Sequence, residues 1–156
     1  MSPKLVGPKP LSAASSSTLS ADDRIEIEEL FARFCHHSDY QEWDALRALY
    51  TDDVVTEMEG VAARYAGPEA QVEHARISAE QTGGKNRHIY FNFVIEEREG
   101  AVIAHYFNAN INAGNAPMEP KLVITGRHAD TVVKTPGGWR IAHRLGQFDQ
   151  QFELNW

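Results

Sequence analysis

Asp39 and His88 are the two residues whose types and expected placement could do chemistry in this chain. An imidazole held by a buried carboxylate is a general base, because the carboxylate fixes which ring nitrogen carries the proton and raises the proton affinity of the other. The stretch Phe34-Cys35-His36-His37-Ser38-Asp39-Tyr40-Gln41-Glu42-Trp43-Asp44-Ala45-Leu46 closes one helical pattern and opens a second, with Asp39 at the corner. A carboxylate there can point inward, across the fold. His88 opens a strand whose period of two puts His88, Tyr90, Asn92 and Val94 on one side and Ile89, Phe91, Phe93 and Ile95 on the other. The first side is mixed polar and aromatic, which suits the wall of a site for an apolar substrate with a few polar groups.

The elements that must position this pair follow from the pattern around it. Residues 1–19 carry Pro3, Pro8 and Pro10 and then Ala13-Ala14-Ser15-Ser16-Ser17-Thr18, which reads as a disordered tail, with an arm packed on a neighbouring subunit as the alternative. Ser20 can cap a helix, with Asp23 three residues on, and Ile27, Leu30, Phe31, Phe34 and Cys35 make its apolar stripe. Trp43, Leu46, Leu49 and Tyr50 make a second helix that Thr51-Asp52-Asp53 ends. Val54 to Glu59 reads as a first strand closed by Gly60, and Gly67-Pro68 opens a third helix that runs to about Gln81 before Gly83-Gly84 stops it. Four β-rich runs follow: Arg87 to Glu97, Ala101 to Ala113, Leu122 to Thr135 and Trp139 to Phe148, separated by Arg98-Glu99-Gly100, Gly114-Asn115-Ala116-Pro117 and Pro136-Gly137-Gly138. Helices first and meandering strands afterwards indicate one α+β domain over 20–156, a cone-shaped curved antiparallel sheet with about three N-terminal helices over its concave face. The faces of the later strands would add Tyr106, Asn108, Asn110 and Asn112, then Gly126, His128 and Asp130, as hydrogen-bonding groups.

Composition narrows the function. The 156 residues are 42% apolar, enough for one core, and the net charge of −7 with no basic run argues against nucleic acid. No apolar run approaches the roughly 18 residues that span a bilayer, and the N-terminus shows no signal-peptide core, so the expectation is a cytoplasmic protein without membrane contact. Cys35, alone and in an apolar stripe, reads as a small buried hydrophobe. Of the seven histidines, His36 and His37 read as surface groups, His74 as part of an exposed helix, and His105, His128 and His143 as strand residues; no HxxxH, HxH or CxxC spacing is present, so no metal site is expected.

The ordered landmarks Ser38-Asp39-Tyr40 with Trp43-Asp44-Ala45-Leu46, Asp52-Asp53, Arg87-His88, Gly126-Arg127-His128-Ala129-Asp130 and Gly137-Gly138-Trp139-Arg140-Ile141 resemble the SnoaL-like branch of the nuclear-transport-factor-2-like, or cystatin-like, superfamily. Its relatives include scytalone dehydratase, hexachlorocyclohexane dehydrochlorinase and bile-acid dehydratase. The resemblance implies that Asp39 and His88 form the proton-abstracting pair, that Arg144 assists departure of an anion, and that His128 stands where scytalone dehydratase binds substrate. The bile-acid enzymes carry a tyrosine where this chain has Phe34, and a carboxylate in the strand that here reads Asn108-Ala109-Asn110, so steroid substrates are not expected.

The reading is therefore a cofactor-independent lyase, dehydratase or isomerase acting on a small, mostly apolar, aromatic or cyclic substrate, with elimination of water or formaldehyde among the possible outcomes. Asp39, His88 and Arg144 are the expected catalytic residues, and Tyr40, Tyr50, Tyr106, Asn110 and His128 the expected substrate contacts. The alternatives are a non-catalytic small subunit of an aromatic-ring-hydroxylating dioxygenase and a ligand-binding protein without turnover. The apolar strand face containing Ile89 and Phe91 points to a homodimer or homotrimer.

Overall fold

Ser20 starts the first helix, α1 (Ala21–Asp39), with a full capping box: its hydroxyl accepts from the Asp23 N–H, and the Asp23 carboxylate accepts from the Ser20 N–H. In the computed structural model, which describes residues 18–59, 63–112 and 120–149, the stripe Ile27, Leu30, Phe31, Phe34 and Cys35 is buried. Asp23 also accepts from Lys134 Nζ at 2.6 Å and Trp139 Nε1 at 3.3 Å, which pins the start of α1 to the last hairpin of the sheet. The expected tail up to residue 17, the turn at Gly114 to Pro117 and the C-terminal residues 150–156 lie outside the described residues.

The second helix, α2 (Trp43–Arg47), is shorter than its apolar pattern implies. Tyr50 does not end it but opens strand β1 (Tyr50–Glu59). The Leu49 carbonyl accepts from the Ile141 N–H at 2.9 Å and Tyr50 pairs with Ile141, so pairing with a distant strand overrides the weak strand preference of Thr51-Asp52-Asp53. A short strand unread in the sequence, β2 (Ala63–Ala66), folds back antiparallel on β1. Helix α3 (Pro68–Gln81) starts on its proline and stops before Gly83 and Gly84, both at positive φ. The remaining strands, β3 (Asn86–Arg98), β4 (Ala101–Asn112), β5 (Lys121–Thr135) and β6 (Gly138–Phe148), fall within one residue of the four β-rich runs.

The α+β architecture is the one the sequence implies: six strands in the order β2-β1-β6-β5-β4-β3 form one curved, unclosed sheet with the helices packed on it. Its pairing is not wholly antiparallel, because β6 returns to lie parallel beside β1. A period-two pattern reports which face a residue takes and is silent on which strand lies alongside, so this pair could not be read from it.

Strand β3 carries a second correction. Asn92 has a φ of 59°, and the β3–β4 register shifts between Phe91 and Val94. This bulge turns the strand over. Ile89, Phe91 and Val94 are exposed on the convex face, whereas Ile95 is buried and Phe93 packs at 5.7 Å from Phe31 and 5.0 Å from Tyr106. His88 and Tyr90 therefore share the concave face with Phe93 and Ile95, and the alternation read from sequence holds only as far as Phe91. Asn92 tolerates the left-handed region, and glycine would tolerate it better. We expect Asn92→Gly to keep or raise Tm, and Asn92→Val, whose β-branched side chain resists the left-handed region, to lower it, as read by near-ultraviolet circular dichroism during a thermal scan; an unchanged Tm in Asn92→Val would count against the bulge being held there.

Candidate active site

α1 ends where the Tyr40 N–H bonds back to the His36 carbonyl at 2.8 Å and Gln41 takes a φ of 59°. That turn leaves the Asp39 side chain facing the start of β3. Asp39 Oδ1 lies 2.6 Å from His88 Nδ1, and Oδ2 accepts from the His88 backbone N–H at 3.0 Å. One carboxylate thus holds both the ring and the backbone of His88. With the proton on Nδ1, the Nε2 lone pair is the one available to the hollow that His88 lines. This hollow, about 230 Å³ and lined mostly by carbon, lies between the concave sheet and helices α1 and α3.

A second polar assembly is built into the sheet. Arg144 Nε donates to Asp130 Oδ2 at 2.9 Å, and Nη2 donates to the hydroxyls of Tyr90 at 3.1 Å and Tyr106 at 2.8 Å. Tyr106 donates onward to Asp130 Oδ2 at 2.7 Å, while Asp130 Oδ1 accepts from the Leu145 N–H at 3.1 Å. Burial alone would push the Asp130 carboxyl up, but Arg144, His128 and Tyr106 outweigh it and hold the group at about 2. Burial also works against the Arg144 charge, and the surrounding Tyr106, Tyr90 and Asp130 more than offset it. The guanidinium lies 4.2 Å over the Phe34 ring, which supplies the apolar cover that a tyrosine would replace with a hydroxyl. Because Tyr90 accepts from Arg144, its own proton is left to donate into the hollow, and burial pushes its pKa up so that it stays a neutral hydroxyl.

The structure brings Asp39, His88, Arg144, Tyr50, Asn110 and His128 to the same hollow. Tyr40 is not among them: as the C-cap of α1 it is 69% exposed, and its ring stands against His36 on the outside. Tyr106 is also displaced from the expected role, because it is buried beneath the floor, where it supports Arg144 and stacks under His128. Tyr90 and Asn108 line the hollow as well, on the strand faces that the sequence assigned to the wall of the site and to its hydrogen-bonding groups, although neither was among the expected catalytic or substrate-contacting residues. His74 also faces it from α3, its ring tilted against Tyr65 with centroids 4.3 Å apart, and burial together with Arg144 and His88 lowers its pKa. Its neighbours in sequence are polar, which made α3 read as an exposed helix. Thr56 donates to Gln71 Oε1 at 2.7 Å and Gln71 Nε2 donates to the Tyr65 carbonyl at 3.0 Å, so α3 is fastened to β1 and β2 beside the hollow.

Other candidates lie elsewhere. His37 pairs with Glu42, His105 with Glu96 and His143 with Glu57. Burial, and then Asp39, push the Cys35 thiol up to about 12, so it is inert as a nucleophile. Among the described residues no group of three or more histidine, cysteine or acidic side chains is arranged to hold a metal, and no helix is long and apolar enough to cross a membrane.

A curved sheet covered by α1 and α3, with a carboxylate-held imidazole on the wall of the hollow between them, defines an α+β cone. The chain belongs to the SnoaL-like domain family, whose model matches residues 20–145; the family includes polyketide cyclases and dehydratases. No curated protein matches. Among solved structures the chain is similar to Aln2 from a Streptomyces species, at 24% identity and a TM-score of 0.76, over 84% of this chain and 94% of that one. It is similar to a protein of unknown function with a cystatin-like fold from Nostoc punctiforme, at 20% identity and a TM-score of 0.74, over 87% and 98%. ActVI-ORFA from Streptomyces coelicolor matches at 12% identity and a TM-score of 0.75, over 85% and 99%. At these identities the likeness shows the fold.

The depressed Asp130 carboxyl has a consequence for stability. An unfolded aspartate titrates near ~3.9, above the folded value of about 2. The pair's contribution is therefore complete above about pH 4 and is lost as pH falls toward 2, amounting to about 2 kcal/mol. In urea unfolding across this range, wild-type stability should decline on acidification, and Asp130→Asn, less stable at neutral pH, should show a flatter acid limb. Equal slopes would remove Asp130 as the source.

Proposed function

We propose that this protein is a cofactor-independent lyase or isomerase in which His88, oriented by Asp39, removes a proton from a carbon next to a carbonyl or aromatic ring. The observation that carries the reading is the 2.6 Å contact between Asp39 and His88 Nδ1 on the wall of a mostly apolar hollow. In the step, the proton passes to Nε2 and the C–H electron pair moves into the ring or carbonyl, giving an enolate. The Tyr90 hydroxyl, polarised by Arg144, donates to the oxygen that gains charge. As the imidazolium forms, Asp39 stabilises it without taking its proton. Loss of a β-hydroxyl as water, with the His88 proton returned to it, completes a dehydration. Return of the proton to another carbon completes an isomerisation.

The test is a panel of uncharged cyclic and aryl β-hydroxy ketones and aryl alcohols, followed by mass spectrometry for loss of water or formaldehyde and for solvent-deuterium incorporation. We expect turnover by the wild type and a loss of about 10² to 10⁴-fold in kcat for His88→Ala. Full activity in that variant, or tight binding with no exchange across the panel, would sink the reading and favour ligand binding without turnover.

The convex face bears on assembly. Ile89, Phe91, Val94, Phe107, Leu122 and Val133 are all exposed, and Phe91 meets Phe107 edge-on at 6.1 Å, apolar surface of the kind that subunits cover. We propose a homo-oligomer that buries it. Sedimentation equilibrium should give a dimer or trimer, and Phe91→Lys with Phe107→Lys should shift the population to monomer; a monomeric wild type at micromolar concentration would refute this.

A further inference from the structure

The cover of the hollow is unevenly fastened. We propose that α3 is a gate: it swings as a rigid helix about its Gln71 end, on a joint at Gly83 and Gly84, and its outer half controls the passage of a small ligand between solvent and the hollow. The gate concerns access, whatever is done to the ligand inside, so it stands apart from the lyase reading.

The two covering helices are held by different forces. α1 buries Ile27, Leu30, Phe31, Phe34 and Cys35, whereas the buried residues of α3 are Pro68 and Gln71. Val72 and Ala75 pack against the core while only partly buried. Lifting α3 therefore exposes little apolar surface, and such an opening lies well below global unfolding in free energy. What fastens α3 is polar and sits near one end. Gln71 accepts from the Thr56 hydroxyl at 2.7 Å and donates to the Tyr65 carbonyl at 3.0 Å, the Gly67 N–H donates to the Val54 carbonyl at 2.8 Å, and Arg47 Nε donates to Glu69 Oε1 at 2.7 Å.

The other end is held differently. The N–H groups of Thr82, Gly83 and Gly84 donate to the carbonyls of Ser78, Glu80 and Ala79, and the Thr82 hydroxyl donates to that of Ser78, so these bonds travel with the helix. Arg76 leans over the Trp43 ring at 5.0 Å, with 45% of its side chain still in solvent. Gly83 and Gly84, at φ of 60° and 69°, then join the helix to β3. A Cβ on Gly83 would meet no atom within 4 Å, and one on Gly84 would be approached at 2.8 Å by the end of the Gln41 side chain. Adjacent glycines in such space absorb a change of φ and ψ at little cost. Between the pivot and the joint, His74 and Ile77 face the hollow and are also exposed, Ile77 by 44%. They form its rim. Inward movement of Ile77 over a ligand takes it out of water, and outward movement clears the entrance.

Hydrogen exchange of the full chain, read by mass spectrometry, tests the gate without any ligand. Amides of residues 76–81 should exchange about 100-fold faster than those of residues 30–34, through an opening that leaves α1 protected. Gln71→Met removes both bonds of the pivot and keeps the side-chain length, so it should raise exchange in 76–81 about ten-fold while α1 is unchanged. Passage is read separately. Ser38 lines the hollow from α1 with its hydroxyl buried and without a hydrogen-bond partner, so Ser38→Cys in a Cys35→Ala background places one thiol inside without breaking a hydrogen bond. Its labelling by methyl methanethiosulfonate should accelerate in Gln71→Met by the same factor as the exchange. Exchange of α3 in step with α1, or a Gln71→Met effect equal in the two helices, overturns the proposal. So does labelling that ignores Gln71→Met while α3 exchange rises, because the entrance then lies elsewhere. A misfolded Gln71→Met still leaves the wild-type comparison of the two helices, and absence of turnover across the substrate panel changes none of these outcomes.

Discussion

The fully buried ion pair between Arg144 and Asp130 is the constraint from which the rest of the interior follows. Taking two charges out of water costs several kcal/mol per ion, and mutual attraction offsets that only where the remaining donors and acceptors are also satisfied. Here they are supplied by four strands: Asp130 from β5, Arg144 and the Leu145 N–H from β6, Tyr106 from β4 and Tyr90 from β3. The pair thus acts as a knot across the sheet. It also determines the character of the hollow above it, because a guanidinium already neutralised polarises a hydroxyl without attracting an anion.

The two halves of the site hang from different parts of the fold. His88 belongs to an edge strand, and its position is set by a carboxylate from the end of α1 that takes both its backbone N–H and its ring. Tyr90 and Arg144 belong to the sheet interior and are set by Asp130. Phe34 joins the halves, stacking on Tyr90 at 5.5 Å, meeting the His88 ring edge-on at 6.0 Å and carrying the Arg144 guanidinium over its face. A hydroxyl at this position would have to find a partner beneath a guanidinium whose Nε and Nη2 already donate to Asp130, Tyr90 and Tyr106, whereas phenylalanine needs none.

Much of this was legible in the sequence. The α1 stripe, its Ser20 cap, the proline start of α3 and the four long strands follow from local periodicity and turn chemistry, which are local in the structure as well. Asp39 and His88 could be paired because a helix corner and a strand start are both places where a side chain must turn inward. The remainder depended on non-local geometry. The residue that inverts β3 is a single asparagine in the left-handed region, and nothing in alternation reveals a bulge. Tyr40, adjacent to Asp39, leaves on the opposite side of the same turn. Tyr106 shares its strand face with Asn108 and Asn110, yet Phe31 and Phe93 cover it, and only packing could reveal that.

The parallel pairing of β1 with β6 also governs the order in which the molecule can be assembled. β1 and β2 pair with each other early in the chain, but the other side of β1 is completed only by residues Ile141 to Gln147, more than eighty positions later. During synthesis the first third of the protein, with the apolar stripe of α1, has to wait as an open edge until the last strand emerges. Contacts of such long sequence separation slow folding, because loop closure must precede any gain from the pairing. The C-terminal strand is in this sense the closing step of folding. A chain stopped before it would retain the residues of the dyad and lack Arg144, and would expose both an unpaired strand and an uncovered core to chaperones and aggregation.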